Sequence, residues 1–260
     1  MKPIRSLIAV AAIALTGCAS THPSNPADPF EPFNRGVYKF NDTLDKAVAK
    51  PIAKGYSAVM PEPGKIMVSN FFSNLDDIIV TANDLLQFKF VQGFSDGMRV
   101  LVNTTVGVGG LIDVASMRLP KHDEDFGQTL GYWGLDSGPY LVLPLLGPSS
   151  VRDGVGLYVD SRPSKIRRVK HMRTRNQLVV TKAINRRAQL LEQEKVLDEA
   201  AIDRYEFLRD AYLLRRQSQV YDGNPPRAKY DDEEEDSPAP ANPAPDSPVK
   251  DTPPTESPVK

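Results

Sequence analysis

Pro32-Phe33-Asn34-Arg35-Gly36-Val37-Tyr38-Lys39-Phe40-Asn41-Asp42-Thr43-Leu44-Asp45-Lys46-Ala47-Val48 is the stretch whose reading decides the fold class. Phe33, Val37, Phe40, Leu44 and Val48 recur at i, i+4, i+7, i+11 and i+15, the spacing of one apolar face on an α-helix. Pro32 suits the first helical turn, where its missing N–H has no intrahelical partner to lose, whereas Pro29 and Pro32 cannot both lie inside a helix. Pro51 predicts that this helix stops by Lys50.

The same period continues along the chain. Asn74 with Asp77 reads as a capping pair ahead of Leu75, Ile78, Ile79, Ala82, Leu85 and Leu86. Phe94, Met98, Leu101 and Thr105 keep helical spacing. Val180, Ile184, Ala188 and Leu191, followed by Ala201, Tyr205, Leu208 and Tyr212, predict one long helix or two consecutive ones. No segment alternates for long enough to make a sustained strand, so the body is mainly α.

The middle departs from this pattern. Residues 126–149 hold five glycines with Tyr132, Trp133 and Tyr140 among them, and contain the apolar run Pro139–Pro148. Ten residues interrupted by Pro144 are too few to cross a hydrocarbon core as a helix. Two readings stand. One is a buried loop or short strand pair; the other is an apolar re-entrant hairpin at a membrane, where nearby aromatics suit the interface. A second anomaly is Arg162–Arg187, with ten basic residues and no acid. It reads either as a solvated face or as a surface that attracts phosphate headgroups.

Both ends of the 260-residue chain differ from the body. Lys2 and Arg5, the apolar run Ser6–Leu15 and the ending Leu15-Thr16-Gly17-Cys18 have the layout of a bacterial lipoprotein signal. Residues 1–17 are predicted to be removed and Cys18 to carry the acyl anchor, stable because several chains insert. Ala19, not Asp, follows, so the usual inner-membrane retention signal is absent. The expected address is the periplasmic side of the outer membrane. Residues 18–27 read as a lipidated tether, 28–230 as the folded body, and 231–260 as a disordered acidic tail. That tail holds eight prolines and the acidic block Asp231–Asp236, which cannot build a packed core. It carries a formal −7 and the signal +2, so the net −1 of the whole chain hides a body at +4. Such a body is compatible with an anionic partner but far from the footprint of a nucleic-acid binder.

Enzyme chemistry finds little support. One cysteine excludes disulfide frameworks, Cys-rich zinc sites and thiol relays, and His22, His122 and His171 show no ligand spacing. Consecutive side chains in Lys121–Asp125 rarely converge on one ion. Gly107–Gly110 lacks the strand and helix that a dinucleotide loop needs, and Gly147–Val151 is not a G-x-S-x-G elbow. Asp76 and Asp77 point about 100° apart on a helix and cannot flank one bond. The sequence is expected to use no metal, no cofactor and no catalysis.

Several segments together resemble the MlaA (VacJ) family of outer-membrane lipoproteins. They are Asp28–Arg35 with Phe40-Asn41, Asn83–Gln87, Asn103–Ala115, Phe126–Gly131, Gly138–Pro144, Arg152–Gly154 and Arg209–Tyr212. They run in order from Asp28 to about Gly223 and leave the acidic tail outside. The resemblance implies a ring-like bundle of amphipathic helices in the outer membrane, enclosing an amphipathic channel. It implies a role in taking mislocalised phospholipid from the outer leaflet and passing it to a periplasmic carrier of the MlaC type, with trimeric porins as membrane partners. A scaffold that only holds a porin is the competing reading. Under the conduit reading, Phe33, Val37, Phe40 and Leu44 are candidates for the membrane belt. Gly138, Pro139, Tyr140, Leu141, Leu143, Pro144 and Leu145 are candidates for a hairpin that gates or lines the channel. Arg167, Arg168, Lys170, Arg173 and Arg175 are candidates for receiving the headgroup.

Overall fold

Asp28 begins the described fold by ordering the entry to the first helix. The computed structural model describes residues 25–194 and 201–226; the signal peptide, Cys18 and the 231–260 tail lie outside them. Asp28 is fully buried, where Asn34 and the Tyr205 hydroxyl both donate to its carboxylate. Helix α1 follows as Glu31–Leu44 with Pro32 in its first turn. The helical path does not stop at Pro51 as the sequence predicts. A π turn at Asp45–Ala49 leads straight into α2, Lys50–Val59, with Lys50 N–H bonded to the Asp45 carbonyl. The wide turn accommodates the proline ring and its missing N–H, which an unbroken α-helix would not.

Helix α3 runs from Glu62 to Leu86 with Pro61 as its N-cap residue. The predicted start at Asn74 is therefore corrected: Asn74 and Asp77 lie mid-helix, both buried. A polar pair facing inward imitates a cap in sequence. A short turn with Phe88 at φ 61° reverses the chain into α4, Phe90–Thr105, which packs along α3. Gly93 permits that approach, since a Cβ there would sit 3.1 Å from Asp84 Cβ. After a 3-10 turn at Ala115–Met117 come α5 (Phe126–Tyr132), β1 (Tyr140–Leu143), β2 (Gly147–Ser150) and α6 (Val151–Ser161). Helix α7, Met172–Gln189, and helix α8, Arg204–Val220, follow, with residues 191–194 helical between them.

The apolar run is thus a two-stranded antiparallel hairpin, registered Tyr140 to Ser150 and Leu143 to Gly147. The outer edge of β1 would leave backbone groups unpaired. Two asparagines of α1, seven residues apart, fill that edge. Asn34 bonds the Tyr140 carbonyl and Val142 N–H at 3.0 and 2.9 Å; Asn41 bonds the Leu143 carbonyl and Leu145 N–H at 2.9 and 2.8 Å.

The elements close a circuit. Helix α2 packs on α7, α7 on α3, α3 on α5, α5 on α8, α8 on β2, and β1 on α1, which continues into α2. The result is a mainly helical ring. Its packing is inverted relative to a water-soluble fold. Among the described residues, buried polar and charged side chains outnumber buried apolar ones more than twofold. Asp77 and Asp84 of α3 face Arg99 and Asp96 of α4, and Asn83 turns to Thr129 and Asp160, while Phe88, Phe90, Val91, Phe94 and Leu101 are exposed. Exposed apolar surface on that scale marks a face that meets something other than water. No helix among the described residues is long and apolar enough to cross a membrane.

Inside the α3–α4 pair, Asp84 and Asp96 are fully buried against one another, with His122 Nδ1 2.8 Å from Asp96. Burial, the Asp96 carboxylate and the nearby Glu124 charge push the Asp84 carboxyl up to about 7, against the pull of Lys89. A raised acid favours folding while protonated, so this stabilisation is complete below the ordinary aspartate range and is lost as pH rises toward 7. Asp84→Asn keeps a donor toward Asp96 without that dependence. The variant is expected to gain stability over the parent as pH climbs from 5 to 8, reaching about 2 kcal/mol. Denaturant midpoints in micelles across that range measure it; a pH-independent difference would contradict the raised Asp84 carboxyl.

Candidate functional site

Opposite its apolar stripe, the α1–α2 unit carries a polar one. Tyr38, Asn41, Asp42 and Asp45 of α1 and the π turn, then Lys50, Lys54 and Ser57 of α2, line two open cavities. In an unbroken α-helix Lys50 would point roughly 140° away from Asp45. The extra residue of the π turn removes most of that offset, so the charged side chains stay on one line. This is what the wide turn contributes to the site.

The first cavity is about 530 Å3. Val142 and Pro148 of the hairpin, Leu190 after α7 and Leu208 of α8 supply a mostly apolar lining. One wall is ionic. Arg187 holds Asp45 through two bonds of 2.6 and 2.7 Å and reaches Glu194 at 2.6 Å. Lys50 and Arg204 meet the other Glu194 oxygen at 3.0 and 3.2 Å. Burial alone would raise the Glu194 carboxyl; hydrogen bonds from Arg187, Lys50 and Arg204 outweigh it and hold the group down at about 2. The second cavity, about 640 Å3, lies across Glu194 and sets Lys50, Lys54 and Lys65 against Glu62, Glu192 and Glu194 in its lining. Lys54 makes no ion pair with a described residue. A mostly apolar cavity and one of mixed charge therefore share an ionic partition.

The sequence candidates fall around this site rather than in it. Tyr140 is buried in an aromatic cluster with Tyr205 and Tyr212, and Leu145 stands exposed at the hairpin tip. Gly138 and Pro144 are exposed, and Pro139, Leu141 and Leu143 half-buried. None of the seven lines the first cavity; the hairpin contributes Val142, Gly147 and Pro148 instead. Arg167, Arg168, Lys170 and Arg173 are exposed and Arg175 half-buried, and none of the five lines either cavity. Phe33, Phe40 and Leu44 are exposed, whereas Val37 turns inward against Tyr140, Val142 and Tyr205. The Lys121–Asp125 cluster is divided among different partners: Lys121 to Asp77, His122 to Asp96, Glu124 to Gln87 and Lys89, and Asp125 to Arg216.

Asp42, Asp45, Lys50, Arg187, Glu194 and Arg204 were not singled out by sequence. Asp42, Asp45 and Lys50 carry a signal, the polar side of an otherwise apolar helix. Arg187 was present in the basic run, and its distinction from its neighbours is that it meets acids. Nothing local marks Glu194 or Arg204.

An apolar rim, a polar interior and a chamber that is oily on one side and ionic on the other define a lipid-facing helical ring. The chain belongs to the MlaA lipoprotein family, whose sequence model matches residues 26–219. It is 35% identical over 222 residues to the intermembrane phospholipid transport system lipoprotein MlaA of Escherichia coli, covering 83% of this chain and 88% of that one. The Haemophilus influenzae protein of the same name is 32% identical over 232 residues, covering 82% and 89%. A solved structure described as the structural basis for maintenance of bacterial outer membrane lipid asymmetry aligns with a TM-score of 0.65 at 33% identity. It covers 76% of this chain and 99% of its own.

Proposed function

We propose that this protein is an outer-membrane lipoprotein, anchored through Cys18, that removes mislocalised phospholipid from the outer leaflet and hands it to a periplasmic carrier. The inverted packing carries the reading. A ring with Phe33, Phe40, Phe90 and Phe94 on its rim and an amphipathic interior suits immersion in lipid and passage of an amphiphile. The names of the relatives point to phospholipid as cargo. Acyl chains fit the apolar chamber, and the phosphate follows the ionic partition toward Lys50, Lys54 and Lys65. No bond in the lipid is made or broken. The carrier would be of the MlaC type, and porin trimers would hold the ring in its membrane.

Transfer of labelled phospholipid from vesicles holding the acylated protein to a purified carrier tests this. Arg187→Glu sets a third carboxylate beside Asp45 and Glu194 and is expected to slow transfer at least tenfold, with membrane attachment unchanged. Carrier-dependent movement absent from the parent protein would instead favour a porin-binding scaffold. Release of fatty acid or lysolipid would favour a hydrolase.

A further inference from the structure

The basic run divides in two. Two cations of its C-terminal part are neutralised: Lys182 meets Asp76, and Arg187 meets Asp45 and Glu194. Its N-terminal part meets no acid among the described residues, yet two of its arginines are held in place by neutral groups. The Arg162 guanidinium lies over the Tyr158 ring, 4.6 Å from its centroid, and donates to the Tyr158 hydroxyl. Arg167 donates to Ser161 Oγ at 2.6 Å. The turn that carries Arg167 and Arg168 is pinned by Ile166, which is buried, and by backbone bonds from Arg168 and Val169 to Lys165 and Ile166. Tyr158, Ser161, Arg162 and Arg167 enclose an open cavity of about 400 Å3.

Helix α6 sets the depth of this pocket. Val151, Val155, Tyr158 and Arg162 follow at i, i+4, i+7 and i+11, so one exposed line passes from aliphatic to aromatic to cationic. Val151 to Arg162 spans about 16 Å along the axis, close to half of a hydrocarbon core of about 30 Å. Aromatic residues followed by arginine are what a protein presents where hydrocarbon gives way to headgroups. A fixed, acid-free guanidinium pair is also the fork that phosphate oxygens match.

We propose that Tyr158, Ser161, Arg162 and Arg167 form a binding site for the phosphate of an anionic membrane lipid on the outside of the ring. The inference goes beyond the transport reading, because these residues line neither of the two cavities described above. The site holds a boundary lipid at the rim and fixes how deep α6 rides in its leaflet.

The test uses the full acylated chain in vesicles of phosphatidylcholine with a minority of phosphatidylglycerol. Spin-labelled lipids of both headgroups report the motionally restricted population. Arg162→Gln with Arg167→Gln is expected to lower the preference for phosphatidylglycerol at least threefold. Arg118→Gln with Arg186→Gln, which removes the same charge from exposed positions elsewhere, is expected to leave it intact. Arg162→Lys with Arg167→Lys keeps the charge but not the fork and is expected to give an intermediate loss. An unchanged preference in the glutamine pair, or an equal loss in the control, would overturn the site. Displacement of the labelled lipid by inorganic phosphate at equal concentration would assign the pocket to a soluble anion and overturn the lipid assignment. Carrier-dependent transfer is read in parallel, so failure here is separable from failure of the transport reading.

Discussion

Gly156→Ala is expected to lose about 3 kcal/mol or more and to leave the α5–α6 region unfolded. A Cβ at this position would stand 2.4 Å from the Gly127 nitrogen and 2.7 Å from its Cα. Both obstacles are helix backbone, so no side chain can move aside, and the two helices would have to separate. That separation reaches further than the pair, because α5 also touches α3 and α8, and α6 touches β2. The paired control is Gly36→Ala, where nothing lies within 4 Å; helix propensity there predicts a gain of up to about 1 kcal/mol. Denaturation in micelles and protease resistance measure both. Equal stability of Gly156→Ala and the parent would mean that the helices do not cross this closely.

Arg216→Met is expected to cost about 3–5 kcal/mol, the range for breaking a buried ion pair from one side. Arg216 is a double fork from α8. It bonds both oxygens of Asp125 at 2.7 and 3.0 Å, and both oxygens of Asp153 at 3.0 and 2.8 Å. Asp125 is the N-cap of α5 and Asp153 lies in the first turn of α6, so one side chain holds three helices. Burial raises both carboxyls; Arg216, helped by Gln128 at Asp125 and by Tyr212 and Arg152 at Asp153, outweighs it and leaves each below its ordinary value. A depressed acid adds stability above its unfolded pKa and gives it up as pH falls through the folded one. The parent should therefore weaken below about pH 4, and Arg216→Met should lose that acid limb along with its stability at pH 7. Adding Asp125→Asn and Asp153→Asn removes the stranded charges and is expected to restore more than half of the loss. Unfolding curves at pH 7 and pH 3 check both statements; a triple variant no better than the single one would show that geometry, not charge, is what Arg216 supplies.

Much of the helical content was legible because period is a property of the helix itself. Phe33, Phe40, Leu44 and Val48 share an exposed face at the expected spacing, Val37 turning inward, and the 180–212 stretch is divided, with α7 ending at Gln189 and α8 starting at Arg204. Errors came from reading polar residues by the habits of proteins in water. Asn74 and Asp77 resembled a helix start because inward-facing polar pairs are rare where the interior is apolar. Pro51 resembled a stop because sequence does not announce a π turn. The hairpin's apolar run said nothing about which face would meet α1, and that was settled by Asn34 and Asn41 completing the edge of β1. The site was less legible, for a physical reason. Asp45, Arg187, Glu194 and Arg204 come from four segments and acquire meaning only when the ring closes.

The inverted packing also bears on calorimetry. Unfolding of an ordinary domain brings apolar groups into water and raises the heat capacity by about 12–15 cal/mol/K per residue. Here much of the oily surface is outside already, and the interior released on opening is amide, carboxylate and guanidinium, whose hydration works in the opposite sense. Melting in a lipid-like medium should then show a small heat-capacity step and a stability curve that is nearly flat with temperature, with its cold limit displaced far below freezing.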